Sequence, residues 1–168
     1  MSSSSSASQA SQAIDRLGIL DRTGDPALRA IARLAGHIAG GSAAGVHILD
    51  ERVQHRIAAY NAPEAGHPRE DAMCAVVADQ DERVVSDDAT LDERFAHSSF
   101  VQGDEPGVRL YVSTPLRMSD GAVVGTLCAW NSASAQLTPE QVAAFDDLTL
   151  LATTILQHAD TGPAPSPT

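Results

Sequence analysis

The stretch from residue 108 to residue 131 constrains the fold more than any other part of this sequence. Two β-prone runs there flank Ser119-Asp120-Gly121, and Asp-Gly between alternating runs is a strong short-range signal for a β-hairpin. The second run, over 122–130, is apolar on both alternating sets: Val124, Cys128 and Trp130 on one, Val123, Leu127 and Ala129 on the other. A strand of that kind is covered on both faces. The chain is therefore expected to fold around a sheet with further segments packed on each side. The first run divides its residues. Val108, Leu110, Val112, Thr114 and Leu116 point one way and Arg109, Tyr111 and Ser113 the other, because strand side chains alternate with period two. A cation, a phenol and a hydroxyl are thus expected in line on one face of a central strand.

Upstream and downstream segments supply the covers. A helix is expected over 12–20, with Ile14 and Leu17 on one face. Asp25-Pro26 reads as an N-cap followed by Pro at the first helical position, and Leu28, Ile31, Leu34, Ala35 and Ile38 follow at helical spacing until Gly40-Gly41. Runs over 44–49 and 53–60 read as a hairpin joined at Asp50-Glu51-Arg52. Pro63, Gly66 and Pro68 make 61–69 a loop. A short helix over 71–79 carries Met73, Cys74, Val76 and Val77, and a short strand follows over 83–86. Thr90 to Glu93 has the form of a capping box. Thr138-Pro139-Glu140-Gln141 combines a capping box with Pro at the first helical position, and starts a long last helix with Val142, Phe145, Leu148, Ala152 and Ile155 on one stripe.

A length of 168 residues suits one domain. Residues 1–11, rich in Ser, Ala and Gln, read as disordered or as a fraying helix start, 12–159 as the domain, and the Pro-rich 160–168 as a loose tail. The formal net charge of -11 argues against nucleic acid and against anionic membrane surfaces as partners. The N-terminus lacks the basic and apolar regions of a secretion signal, and two cysteines without CxxC spacing read as reduced. A cytoplasmic chain is the resulting expectation.

The order of elements, together with the runs VVSDDATLDERF, PGVRLYVSTPL and DGAVVGTLC, resembles the GAF domains found ahead of bacterial sensor kinases and diguanylate cyclases. That resemblance covers nearly the whole folded part. It implies an α+β fold: a central antiparallel sheet of five or six strands, the N- and C-terminal helices on one face, and segments enclosing a ligand pocket on the other. It also implies a homodimer through the terminal helices. Two positions depart from the family pattern, Met73 where an aromatic often precedes the pocket cysteine, and Val76 where many relatives carry His.

The candidate ligand-binding residues are Arg109, Tyr111, Ser113, Cys74, Val77, Asp88 and Phe100, with Asp88 and Phe95 or Phe100 at the rim. Polar groups converging on an apolar cleft are the usual pattern of a small-molecule site, and Arg109 is suited to an acidic or carbonyl group. The plain alternative for Arg109 is a brace to Asp87, Asp88 or Asp104. Cys74 reads either as a redox or attachment thiol or as a small buried hydrophobe, and Cys128 as the latter. A bond between them would need Cα atoms within about 7 Å. With a three-residue loop in the first hairpin, His47 and His55 would face each other, but no third metal ligand lies in register, and no metal site is expected. Gly40-Gly41 is not a phosphate loop, and no Ser-His-Asp or GxSxG signature is present, so no catalytic residue is assigned.

The function expected from all this is a regulatory module that binds an unidentified small molecule and passes a signal to a protein in trans, with the cofactor left open. Two alternatives stand beside it. One is a structural dimerisation module. The other is an enzyme resembling the GAF proteins that reduce free methionine sulfoxide, which carry a Cys about a dozen residues before the Pro of the last-but-one strand. Here the run VQGDEPGVRLYVST before Pro115 has none.

Overall fold

The computed structural model describes residues 2–40, 42–103 and 107–158. Eleven elements follow one another: α1 (Ser2–Arg16), α2 (Pro26–Ile38), β1 (Ala43–Leu49), β2 (Val53–Tyr60), β3 (Gly66–Pro68), α3 (Met73–Gln80), β4 (Val84–Ser86), α4 (Ser99–Gln102), β5 (Leu110–Arg117), β6 (Val123–Asn131) and α5 (Pro139–Gln157). The six strands form one sheet in the order β3-β2-β1-β6-β5-β4, and every neighbouring pair is antiparallel. The sheet is flanked on both faces, so the fold class is α+β, as expected.

Local chemistry sets the turns. Asp50 accepts hydrogen bonds from the N–H groups of Arg52 and Val53 and closes the β1–β2 turn. In the β5–β6 turn Asp120 accepts from Ala122 N–H, and Gly121 takes φ +90°, a region that favours glycine. Asp25 caps α2 through the N–H groups of Ala27 and Leu28. Thr138 and Gln141 form the expected capping box at α5.

One face of the sheet buries Val46, Ile48, Leu110, Val112 and Leu127 against Ile14, Leu28, Ile31, Phe145 and Leu156 of α1, α2 and α5. Each fully buried Leu, Ile or Phe contributes about 1.5–3 kcal/mol through removal of apolar area from water. The opposite face packs Leu49, Tyr111 and Cys128 against Cys74 and Val77 of α3, Phe95, and Val101 of α4. This second, smaller layer holds the candidate site.

Several expectations need correction. The first helix is α1, which takes in most of the Ser-rich stretch, as the reading of that stretch as a helix start has it, and it buries Ala10, Ala13 and Ile14. The tail over 160–168 and Gly41 lie outside the described residues. Val108 and Arg109 precede β5 rather than belonging to it, so Val108 joins the second layer beside Tyr111 instead of following Leu110. In β6 the pairing passes from Leu116–Gly125 to Arg117–Val123, leaving Val124 as a bulge. Val124 therefore packs with the helices, away from Cys128 and Trp130. A second irregularity, between Val46 and His47, pairs His47 with Arg56 and Ile48 with His55. The two histidines do not face each other, and His55 instead lies 2.7 Å from Asp50. Finally, Asp88 rather than Thr90 caps the turn that follows β4.

Candidate functional site

Four elements aim side chains at one point in the second layer. β1 brings His47, β6 brings Cys128, β5 brings Tyr111, and the first turn of α3 brings Cys74. Gly45 sits opposite Cys128 on β1, and a Cβ there would come within 2.9 Å of His47 Nε2, so the absence of a side chain leaves the imidazole its room. Cys74 Sγ lies 3.0 Å from His47 Nδ1, 3.0 Å from the Tyr111 hydroxyl and 3.6 Å from Cys128 Sγ. Cys128 Sγ is 3.2 Å from His47 Nδ1. All four residues are at most 3% exposed.

The hydrogen bonds fix the direction of polarity. Arg56 Nε–H donates to His47 Nε2 at 2.9 Å, so the neutral ring keeps its hydrogen on Nδ1, pointing at the two sulfurs. Burial opposes a charge on Cys74. The Cys128 S–H, the His47 ring and the Thr126 hydroxyl outweigh it and hold the Cys74 thiol well below its ordinary range. Burial pushes the Cys128 thiol up, and its hydrogen bond to Cys74 adds to the effect. Burial and the neighbouring Cys74 charge likewise push the Tyr111 phenol well up. The cluster thus weakens the hold of Cys74 on its proton and strengthens that of Cys128 and Tyr111. Thr126 Oγ1 meets no partner at ordinary hydrogen-bond geometry, but it is near enough to add to this stabilisation.

Above Cys74 a narrow cleft of about 80 Å³ opens between Gln54, Arg56, Met73, Phe100, Val108, Tyr111 and Trp130. The Arg56 guanidinium lies 5.2 Å from the centre of the Trp130 ring. His47 stacks beneath the same indole at 6.1 Å. Gln54 is 3% exposed and its Oε1 has no hydrogen-bond partner. A buried amide oxygen left without a donor costs about 1–3 kcal/mol, which a bound group carrying an N–H or O–H would recover. Larger hollows lie elsewhere on the surface. One of about 560 Å³ carries Asp88, Asp92 and Arg94, and one of about 600 Å³ carries Arg69 and Asp79. Arg94 is already paired with Asp92 in the first and Arg69 with Asp79 in the second, which Arg52 also lines.

Of the residues singled out from the sequence, Cys74, Tyr111 and Phe100 line the cleft. Val77 is packed beneath it, and the Ser113 hydroxyl is buried without a partner. Arg109 turns its guanidinium to the carbonyl oxygens of Val101 and Val108, each at 3.0 Å. It braces the chain ahead of β5 and is not on the cleft wall. Asp88 spends its carboxylate on the Thr90 N–H and hydroxyl. Asp104, named as a partner for Arg109, lies outside the described residues. Sequence reasoning did not place His47, Gln54, Arg56 or Trp130 here. The available signal was the alternation of β1 and β2, but the irregularity at Val46 changes which residues of the two strands face each other.

His47, Cys74 and Cys128 also offer three donor atoms within 4.8 Å of one another, and soft thiolate donors suit zinc or copper(I). The second shell does not fit such a metal. A ligating imidazole donates its other N–H to an acceptor, whereas His47 Nε2 accepts from Arg56.

Comparison with known proteins gives the chain its family. The sequence profile of the GAF domain matches residues 24–156, and the chain belongs to that family of sensory and ligand-binding modules. It is 33% identical over 115 residues to a cyclic di-GMP phosphodiesterase of Pseudomonas aeruginosa; the match covers 68% of this chain and 19% of that protein, so the chain spans about a fifth of its relative's length. Among solved structures it resembles the GAF domain of an Acinetobacter phosphoenolpyruvate-protein phosphotransferase, with a TM-score of 0.63, 16% identity, and coverage of 92% of this chain and 96% of that one. It also resembles a type II free methionine-R-sulfoxide reductase from Thermoplasma acidophilum, with a TM-score of 0.59, 14% identity, and coverage of 78% and 92%. At these identities the structures share the fold. Among the described residues no helix is long and apolar enough to cross a membrane.

Proposed function

We propose that this chain is a regulatory module of a bacterial cytoplasmic signalling system that binds a small polar molecule in the cleft above Cys74 and signals to a protein in trans. The observation that carries the reading is Gln54 Oε1, buried and unpartnered on the cleft wall. A buried amide acceptor, an aromatic face at Trp130 and a cation at Arg56 together suit a compact ligand with a hydrogen-bond donor and a planar or anionic portion. The volume of about 80 Å³ limits its size, since drug-sized ligands occupy about 300–1,000 Å³. A dinucleotide of the kind named in the Pseudomonas relative is far too large for it.

The test is a thermal-shift screen with small carboxylates, amides and inorganic oxyanions. A ligand at 100 times its Kd adds about 2.7 kcal/mol to apparent stability, and Gln54→Leu is expected to abolish that gain without unfolding the chain. No shift from any compound of this size range would remove the reading.

A homodimer is part of the same proposal. Leu34 on α2 and Leu150 and Leu151 on α5 are 51%, 65% and 53% exposed, an apolar exposure on the helical layer that a second copy would cover. Sedimentation of wild type and of Leu150→Lys/Leu151→Lys tests it; a monomer for both contradicts it.

A further inference from the structure

We propose that Cys74 and Cys128 form a reactive dithiol that reduces small hydroperoxides, with Cys74 as the attacking thiolate and Cys128 as the thiol that closes the disulfide. The inference does not rest on the regulatory ligand; it uses the cleft only as the route to Cys74.

The two sulfurs are not equivalent. Cys74 lines the cleft and Cys128 does not, so an incoming molecule meets Cys74 first. Three polar groups converge on Cys74: His47 Nδ1 and the Tyr111 hydroxyl, each at 3.0 Å and each able to donate to it, and the Cys128 sulfur behind it at 3.6 Å. Cys74 also sits in the first turn of α3, at the positive end of the helix dipole. A thiolate held by donors at a helix N-terminus beside an imidazole is the usual setting of a reactive cysteine. The second sulfur waits at 3.6 Å, and forming the bond requires closing that gap to about 2.05 Å. Two buried hydroxyls, Thr126 Oγ1 and Ser113 Oγ, lie beside this pair on β6 and β5, with Ser113 directly across from Cys128. The cleft's size selects hydrogen peroxide or a short alkyl hydroperoxide over a lipid one.

The chemistry balances in two steps. The Cys74 thiolate attacks the terminal oxygen of ROOH; the O–O bond breaks, an S–OH group forms on Cys74, and RO⁻ leaves and takes a proton from solvent. The Cys128 sulfur then attacks the Cys74 sulfur. The S–S bond forms, the S–O bond breaks, and hydroxide leaves with the Cys128 proton as water. Two thiols have lost two hydrogens and two electrons, and the hydroperoxide has become an alcohol and water.

The experiment uses the whole chain, reduced and stripped with a chelator. It is exposed to one equivalent of hydrogen peroxide, then quenched and measured for free thiols and intact mass. The expected result is loss of both thiols and of two hydrogens per chain, with Cys74 and Cys128 joined in a single cross-linked peptide. The native chain should react at least about tenfold faster than the same chain in denaturant, where Cys74 is an ordinary thiol. Cys128→Ser is expected to stop at Cys74 carrying one extra oxygen, trapped by dimedone, and Cys74→Ser to consume no peroxide. Should either variant fail to fold, the wild-type rate ratio and peptide map still decide. Thiols that survive excess peroxide in the native chain, equal rates native and unfolded, a bridge between two chains, or one equivalent of zinc or copper found on the chain as isolated would each overturn the proposal.

Discussion

His47 Nδ1 lies 3.0 Å from Cys74 Sγ while its other ring nitrogen is held by Arg56 at 2.9 Å. This one imidazole joins the cation on β2 to the thiol on α3, so Arg56 acts on Cys74 through the ring without touching it.

Removing Arg56 therefore changes the thiol. In Arg56→Ala, His47 Nε2 loses its donor, the ring is free to move its hydrogen off Nδ1, and the Cys74 sulfur loses a donor. Losing one hydrogen bond to a charged group, about 1.5–3 kcal/mol, should slow iodoacetamide labelling of Cys74 at neutral pH by roughly tenfold or more. An unchanged rate would show that the Arg56–His47 bond does not set the ring's polarity.

Gly125 is fixed by the close approach of β1 and β6. A Cβ on it would overlap the His47 carbonyl oxygen, which belongs to backbone that cannot swing aside. Gly125→Ala should destabilise the chain by more than about 3 kcal/mol or prevent its folding. Gly121→Ala, where a Cβ meets nothing within 4 Å but φ is +90°, should cost only about 1–2 kcal/mol. Urea unfolding of the two variants checks the order, and equal losses would contradict the register described for β1 and β6.

The sheet, its two covers and the caps at Asp25 and Thr138 were legible because each rests on a local signal: alternation, a turn dipeptide, or a side chain two or three residues from the N–H it accepts. The Cys74–Tyr111 pairing was legible in outline, since both residues were placed on the pocket side. What alternation could not supply was the effect of the bulges. Skipping one residue of β2 opposite Val46 puts Arg56 across from His47, and Val124 takes the slack in β6. Arg109 misled for a related reason. A period-two count carried past the start of β5 put it on the pocket face, while the chain ahead of Leu110 has already left the sheet and offers it two carbonyls.

Acid should destabilise the fold through its surface carboxylates. The Arg29 guanidinium holds Glu64 below the usual carboxylate range, the Ala122 N–H and Arg16 do the same for Asp120, and Arg94 for Asp92. A carboxylate whose affinity for protons is lower in the folded chain contributes stability that is fully present above its unfolded value, about 4, and is lost as pH falls through the lower folded value. The unfolding midpoint should therefore drop as pH is lowered below about 4, with a shallower drop in Glu64→Gln. A midpoint that rises over that range would contradict the pairs described.

The core of the second packing layer makes its own prediction. Phe95 is fully buried and meets Tyr111 edge-on at 5.1 Å. Phe95→Ala should cost about 3–5 kcal/mol, while Leu91→Ala, at a side chain 83% exposed, should lie within about 0.5 kcal/mol of wild type. Comparable losses would mean that the layer over the site is not packed as described.

Trp130 is the single tryptophan of the chain and lines the cleft, so its emission reports on the site without a label. Titrating the chain with the small carboxylates, amides and oxyanions that fit the cleft should give, for at least one of them, a saturable change in Trp130 fluorescence that Gln54→Leu abolishes. Emission indifferent to every such compound, or a change that Gln54→Leu leaves intact, would contradict the assignment of this cleft as the binding site.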